Sequence, residues 1–162
     1  MSTPIKPGSL KIVYFVEQQL EGWTFQRSHW PLHVTIVPWF TVADEELTVR
    51  SLERVAHQTH ATSLSVGNQE MLGLLGTVPV NSIVNQAPAM ALHQILVDTL
   101  VATDVTFDEQ GFYGAHYIAH VNRHVADNRH SSKGEEILLN YFQLVRLIND
   151  SSCLVEQQFM LR

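Results

Sequence analysis

The sequence has little of what several classes of protein require. Its 162 residues include one cysteine, Cys153, so no internal disulfide can form, and burial as a small side chain is the simpler interpretation of that thiol. No stretch approaches the about 20 consecutive apolar residues of a membrane helix, and the first residues lack the apolar core of a secretory signal. We therefore expect no membrane partner and a cytoplasmic location.

Positive charge is also scarce. Ten lysines and arginines stand against 16 acidic residues, for a net charge of −6. A protein that holds long nucleic acid must neutralise many phosphates, so this balance argues against that class and leaves a short or terminal phosphate as the acceptable anion. The length suits one domain over residues 1–162, because two independent cores would need a longer chain. The oligomeric state is not determined by these features.

Periodicity predicts many strands and few helices. Two helical stripes are expected, one from a capping box at Thr41 and Asp44 to about His57, and one that begins near Pro88 and continues to Leu100. Strands are expected at residues 10–18, 30–40, 62–67, 78–84, 112–121 and 153–161, with a long apolar run at 137–148 and a polar connection at 21–28. This pattern predicts an α+β fold with a mainly antiparallel sheet.

The most informative segment is His33-Val-Thr35, which lies in an apolar predicted strand. Side chains two residues apart point to the same face of a strand and stand roughly 6.6 Å apart, so the imidazole and the hydroxyl could reach one phosphate. An imidazole can transfer a proton near neutral pH, and a hydroxyl can bind an anion. We predict that His33 and Thr35 form part of a functional site.

A second histidine-rich segment follows at residues 114–124, where His116, Ile118, His120 and Asn122 share one face of the predicted strand. Two histidines on facing strands would make an acid–base pair. The small residues before His116 and the aromatic approach at 112–113 favour His116 as the partner of His33. His120, four residues along the same face, is its nearest rival.

The two motifs resemble those of the 2H phosphoesterase superfamily, whose members carry two His-x-Thr/Ser motifs and include 2′-5′ RNA ligases and RNA 2′,3′-cyclic phosphodiesterases. The resemblance implies two pseudo-symmetric lobes of antiparallel sheet, with helices outside and the active cleft between. It implies metal-independent catalysis by His33 and His116 on a 2′,3′-cyclic phosphate or a 2′-5′ bond of a nucleotide or RNA terminus, with Thr35 on the phosphate and no cofactor. In the second motif, Ile118 stands where the family has threonine or serine, so one phosphate hydroxyl is missing.

Further candidates surround these motifs. Trp39 and Phe40 could stack on a base, although a core role is slightly favoured for both. Tyr113, His120 and Asn122 are possible substrate-binding residues. The basic stretch with Arg123, Arg129 and Lys133 is either a solvated loop or an anion-steering loop. Three other polar residues show no specific pattern and are expected at the surface: His93, Arg27 and His29.

Two alternatives stay open beside this hypothesis. One is a non-catalytic protein that binds nucleotides or RNA ends on the same scaffold, and the other is a different substrate of the superfamily, such as a nucleotide sugar cyclic phosphate or an oligoadenylate. Metal binding ranks below acid–base chemistry, because His57 and His60 have no accompanying HExxH pattern or carboxylate at zinc spacing.

Overall fold

The computed structural model describes residues 5–108 and 113–162. Within these ranges the chain forms ten strands, two α-helices and one short 3₁₀ turn at Gly114–His116. The elements in chain order are β1 Leu10–Phe15, β2 Thr24–Gln26, β3 His33–Val42, α1 Glu45–Gln58, β4 Thr62–Leu72, β5 Val78–Ile83, α2 Gln86–Val101, β6 Val105–Phe107, β7 His120–Asn122, β8 Glu136–Leu139, β9 Tyr141–Leu147 and β10 Ser152–Met160.

The strands form one antiparallel sheet in the order β2-β10-β9-β1-β3-β7-β5-β4-β8, with β6 added to the outer part of β3. The two strands that carry the histidines, β3 and β7, therefore lie side by side at its centre. Helix α1 packs against β10, and α2 packs against β3 and β4. The prediction of an α+β fold with a mainly antiparallel sheet is confirmed. Neither described helix is long and apolar enough to cross a membrane.

Apolar residues cover both faces of the central strands. The main core joins the two helices to one face of the sheet, and a smaller cluster of Val13, Phe15, Trp39 and Cys153 with neighbours from β9 and β10 lies on the other. Strand β1 is buried on both sides, which explains its nearly continuous apolar sequence. Thr35 lies next to this smaller cluster, because it pairs with Val13 of the neighbouring strand.

The predicted helices are present, with one correction at a cap. Asp44 is the N-cap of α1, where its carboxylate accepts a hydrogen bond from the Leu47 amide at 3.0 Å. The capping box with Thr41 is wrong, because Thr41 still lies in β3. Helix α2 starts two residues before Pro88, so the proline occupies the first turn, where its missing N–H costs nothing.

The predicted strand at residues 112–121 is wrong over most of its length, and Phe112 lies outside the described residues. The chain forms the 3₁₀ turn, then an extended stretch, and pairs as a strand only at β7. The side chain of Gln86 provides the reason, because it bonds both the N–H and the C=O of Ala119 at 2.8 Å. A side-chain amide therefore replaces the strand ladder immediately before β7.

Two smaller differences concern strand ends. The predicted run at 137–148 is broken at Asn140 into β8 and β9, which pair with different neighbours. The predicted polar connection at 21–28 contains β2, a three-residue strand that pairs with β10 at the edge of the sheet. Short edge strands carry little periodicity, so local patterning gives little sign of them.

His93 is a third difference, since it is fully buried and not at the surface. Its Nδ1–H donates to the Ile36 carbonyl at 2.6 Å, and its Nε2 accepts from the Gly114 amide at 2.7 Å. The ring stacks on Tyr117 with 4.0 Å between centroids. This neutral imidazole thus connects α2 to β3 and to the segment that precedes β7.

We predict that His93→Leu lowers the free energy of unfolding by about 1–3 kcal/mol for each of the two backbone groups it leaves unpaired. Urea denaturation followed by circular dichroism measures the change. His57→Leu, at an exposed position near the end of α1, is the matched control and should stay within about 0.5 kcal/mol of wild type. Equal stability of the two variants would contradict the connecting role of His93.

Candidate active site

A single backbone pairing sets the arrangement of the site. Val34 of β3 pairs with Val121 of β7 in antiparallel register. The residues on either side of this pair therefore face each other on one side of the sheet, so that His33 lies beside Asn122 and Thr35 lies beside His120. The two chain segments that the sequence singled out meet at this contact.

The two strand histidines make the same hydrogen bond. His33 Nδ1 lies 2.9 Å from the Pro31 carbonyl, and His120 Nδ1 lies 2.9 Å from the Ile118 carbonyl. A carbonyl only accepts, so Nδ1 carries the proton in both rings, and in the neutral state Nε2 holds the lone pair. In each case the carbonyl belongs to the residue two positions earlier. His120 therefore matches His33 in strand position, ring orientation and tautomer.

A cavity of about 420 Å³ opens beside these residues. It lies between the two halves of the sheet, since β1 and β3 contribute one wall and the β4–β5 hairpin with the segment before β7 contributes the other. Its lining residues are Lys11, Thr35, Pro38, Leu72, Gly73, Leu74, Val78, His116, Tyr117, Ile118 and His120. One end is thus polar, with Lys11, Thr35 and His120, and the remainder is mostly apolar. His33 is not among the lining residues and lies beside this polar end, on the same face of the sheet.

His116 also lines this cavity, but it does so from the end of the 3₁₀ turn, as an exposed residue. Ile118 is 55% exposed and lies in the extended stretch before β7, where its carbonyl holds the ring of His120. The expectation of a missing hydroxyl at Ile118 assumed a strand that the structure does not form there. In β7 the residue two positions after the histidine is Asn122.

Asn122 is engaged with the first motif strand. Its Oδ1 accepts from the His33 amide at 2.7 Å, and its Nδ2 donates to the Pro31 carbonyl at 3.3 Å. The same carbonyl accepts from the His33 ring. The amide of Asn122 therefore holds both the backbone of His33 and the group that orients its imidazole.

The aromatic candidates lie in the core. Phe40 is fully buried on the helix side, and Trp39 is buried in the smaller cluster, where it packs edge to face against Trp30 at 6.0 Å. Tyr113 stacks on Phe107 with 4.2 Å between centroids. None of these three rings lines the cavity.

The basic candidates do not gather at the cavity. Arg129 donates to the Trp30 carbonyl at 3.5 Å and pairs with Asp127 at 3.7 Å. The Nε of Arg123 is buried and has no hydrogen-bond partner among the described residues. Lys133 lines a separate polar cleft together with Glu70 and other residues of β4 and the segment before β8.

Lys11 is a site residue that the sequence analysis missed. It projects from β1 into the same cavity as Thr35 and His120. Its ammonium lies 4.8 Å from the ring centroid of Trp30 and 5.4 Å from that of Trp39, within cation–π distance of both. A signal was available, because Lys11 is the one charged residue in the otherwise apolar segment that forms β1.

The surroundings of both strand histidines disfavour their protonated forms. Burial lowers the pKa of His33 to about 3, with a further contribution from the charge of Lys11. Burial and the same lysine also lower the pKa of His120. The ring of His33 is 7% exposed and lies against Trp30, 4.7 Å between centroids. Among the described residues, no group of three His, Cys, Asp or Glu side chains is arranged to hold a metal ion.

Comparison with known proteins gives matches at the level of structure. No protein-family model and no curated protein matches the sequence. A crystal structure of a phosphoesterase aligns over 96% of this chain and 99% of its own, with a TM-score of 0.60 and 10% identity. Crystal structures of E. coli LigT complexed with NADP⁺ and with 3′-AMP both have TM-scores of 0.58 over 96% of this chain and 98% and 99% of LigT, at 11% and 10% identity.

The chain has the LigT fold. The alignment covers nearly the whole of both chains. The α+β, mainly antiparallel fold that the resemblance implied is confirmed, and a phosphoesterase of known structure has a similar fold.

We predict that acid destabilises the protein through His33. Its pKa is lowered by folding, so between about pH 6.5 and pH 3 the unfolded chain binds a proton that the native ring does not, and stability falls as the pH falls. The expected contribution is about 2 kcal/mol between pH 7 and pH 5, measured by urea denaturation at each pH. His33→Gln should lose this part of the pH dependence, and His57→Gln should keep it. An unchanged slope in His33→Gln would show that His33 is not buried as a neutral ring.

Proposed function

We propose that the protein is a metal-independent phosphoesterase that opens 2′,3′-cyclic phosphates of nucleotides or RNA ends, or acts on 2′-5′ phosphodiester bonds, by acid–base catalysis with His33 and His120. The observation that carries the proposal is the matched pair of strand histidines, each with Nδ1 bound to the carbonyl two residues earlier. Thr35 and His120 share one cavity wall, so a phosphate there could contact the hydroxyl and an imidazole together.

In hydrolysis of a cyclic phosphate, water attacks phosphorus and the bond to one ribose oxygen breaks. His33 takes the proton of the attacking water on Nε2, and protonated His120 gives a proton from Nε2 to the departing oxygen. Thr35 donates a hydrogen bond to a non-bridging oxygen, where negative charge increases in the transition state. Proton exchange with solvent then restores the two rings.

The environment of the rings supports this division of roles. His33 is the more deeply buried ring, and burial lowers its pKa, so its Nε2 carries a lone pair at neutral pH and is available to a proton. His120 lines the open cavity, where a bound phosphate anion would favour its protonated form. We therefore assign the base to His33 and the acid to His120 for hydrolysis, with the roles exchanged in the reverse direction.

The shape of the cavity supports a nucleotide as the substrate. Beyond the polar end, Pro38, Leu72 and Val78 provide an apolar surface that a base can contact. The volume of about 420 Å³ suits a small ligand. The same fold in LigT accommodates 3′-AMP and NADP⁺. A terminal nucleotide of RNA could enter in the same way, with the rest of the strand outside.

We predict that His33→Ala and His120→Ala each reduce turnover of 2′,3′-cyclic nucleotides by about 10²–10⁴-fold, because each removes a positioned acid or base. His116→Ala is the matched variant in the same cavity and should retain most of the activity. Chromatography of the products measures turnover, and circular dichroism checks the fold.

If His116→Ala loses activity and His120→Ala keeps full activity, the acid is His116 in the 3₁₀ turn and not His120. Tight binding of 3′-AMP without turnover of any cyclic nucleotide or 2′-5′ linked dinucleotide would instead favour a nucleotide-binding protein. That outcome would contradict the enzymatic proposal and leave the location of the site intact.

We predict that Thr35→Val lowers kcat/KM roughly 10- to 100-fold, which corresponds to about 1.5–3 kcal/mol for a lost hydrogen bond to a charged oxygen. Valine keeps the shape of the threonine side chain and its strand propensity. Thr41→Val, in the same strand and outside the cavity lining, controls for effects on folding. Equal kcat/KM for Thr35→Val and Thr41→Val would show that the hydroxyl of Thr35 does not bind the phosphate.

A further inference from the structure

The second motif strand lacks a free phosphate donor. Two positions after His120 the strand has Asn122. The side-chain oxygen of Asn122 accepts from the His33 backbone N–H, and its side-chain nitrogen donates to the Pro31 carbonyl. Turning the amide toward the cavity would leave the His33 N–H without this partner, and an unpaired buried donor is destabilising. The phosphate therefore needs a second binding group from another element.

Lys11 occupies the appropriate place. It reaches the cavity from β1, the strand next to β3, and lines it together with Thr35 and His120. The indole rings of Trp30 and Trp39 flank its ammonium and restrict where it can lie. Among the described residues that line this cavity, Lys11 alone carries a permanent positive charge.

We propose that Lys11 is the second phosphate-binding residue of the site, which contacts a non-bridging oxygen of the substrate opposite the hydroxyl of Thr35. This inference rests on the proposed function. An ammonium has three donors and binds phosphate as a point charge, so it can bond an oxygen while its stem and charge remain against the indoles. One lysine also matches the single negative charge of a cyclic phosphodiester.

The position of Lys11 has a second effect on the site. Its charge disfavours protonation of both His33 and His120 in the ligand-free protein. A phosphate bound to Lys11 offsets that charge, so the imidazole that must act as an acid can take up its proton once the substrate is present. Lys11 would thereby couple phosphate binding to the protonation of the pair.

The test compares Lys11→Met and Lys11→Arg with wild type on 2′,3′-cyclic AMP over a range of pH. Methionine keeps the length and the apolar contact and removes the charge. We expect kcat/KM to fall about 10- to 100-fold and the limbs of the kcat/KM profile to move to higher pH, because the histidines lose a neighbouring cation. Arginine should restore part of the rate. Lys6→Met, at an exposed position, is the matched control and should behave as wild type.

The outcomes separate this inference from the proposed function. If His33→Ala and His120→Ala are inactive but Lys11→Met stays within twofold of wild type with an unshifted pH profile, the role of Lys11 is wrong and the function stands. If the wild type turns over neither a cyclic nucleotide nor a 2′-5′ linked dinucleotide, the proposed function fails, and calorimetric titration with 3′-AMP and inorganic phosphate then tests the lysine. Weaker binding in Lys11→Met would support the phosphate site, and equal binding, or no binding to wild type, would overturn it.

Discussion

The antiparallel contact between β3 and β7 is the constraint on which the rest of the site depends. One pairing, Val34 with Val121, determines which side chains of the two strands face the cavity. A slip of one residue would turn His120 to the opposite face of the sheet. Because β7 has only three residues, its own ladder cannot supply much of the specificity.

Side-chain hydrogen bonds secure this short contact from several directions. Gln86 holds the backbone of Ala119 just before β7, and Tyr117 donates its hydroxyl proton to the Thr35 carbonyl at 2.8 Å. Asn122 binds the His33 amide on the other side. These polar groups are partly buried, so each bond lost would leave an unpaired donor or acceptor, which makes alternative registers costly. The register is thus specified by side chains from three separate segments: the start of α2, the segment before β7, and β7 itself.

Much of the fold was predictable from the sequence, because β1, β3 and both helices have clear periodicity and α1 has a capping aspartate. His33 and Thr35 were predictable for the same reason, since alternation in one strand places them together. Which of His116 and His120 lies on β7 beside Thr35 was not predictable, because the two positions have the same strand parity. The groups that place them, Gln86 and the Ile118 carbonyl, act through the folded backbone. By contrast, two features were visible in the sequence. Lys11 is a charged residue in an apolar strand, and His93 lies on the apolar stripe of α2.

The asparagine in the second motif strand and the lysine in β1 are best understood together. A hydroxyl donates and accepts through a single oxygen, whereas an amide accepts through its oxygen and donates through its nitrogen. Asn122 can therefore hold the His33 amide and the Pro31 carbonyl with two separate atoms. An amide used in this way strengthens the contact between the strands but contributes little to an anion in the cavity. A buried site without a second donor would bind phosphate poorly, because desolvating the anion must be compensated by charge or hydrogen bonds. In the proposed site Lys11 supplies that compensation from a neighbouring strand, which assigns strand pairing and phosphate binding to two different residues.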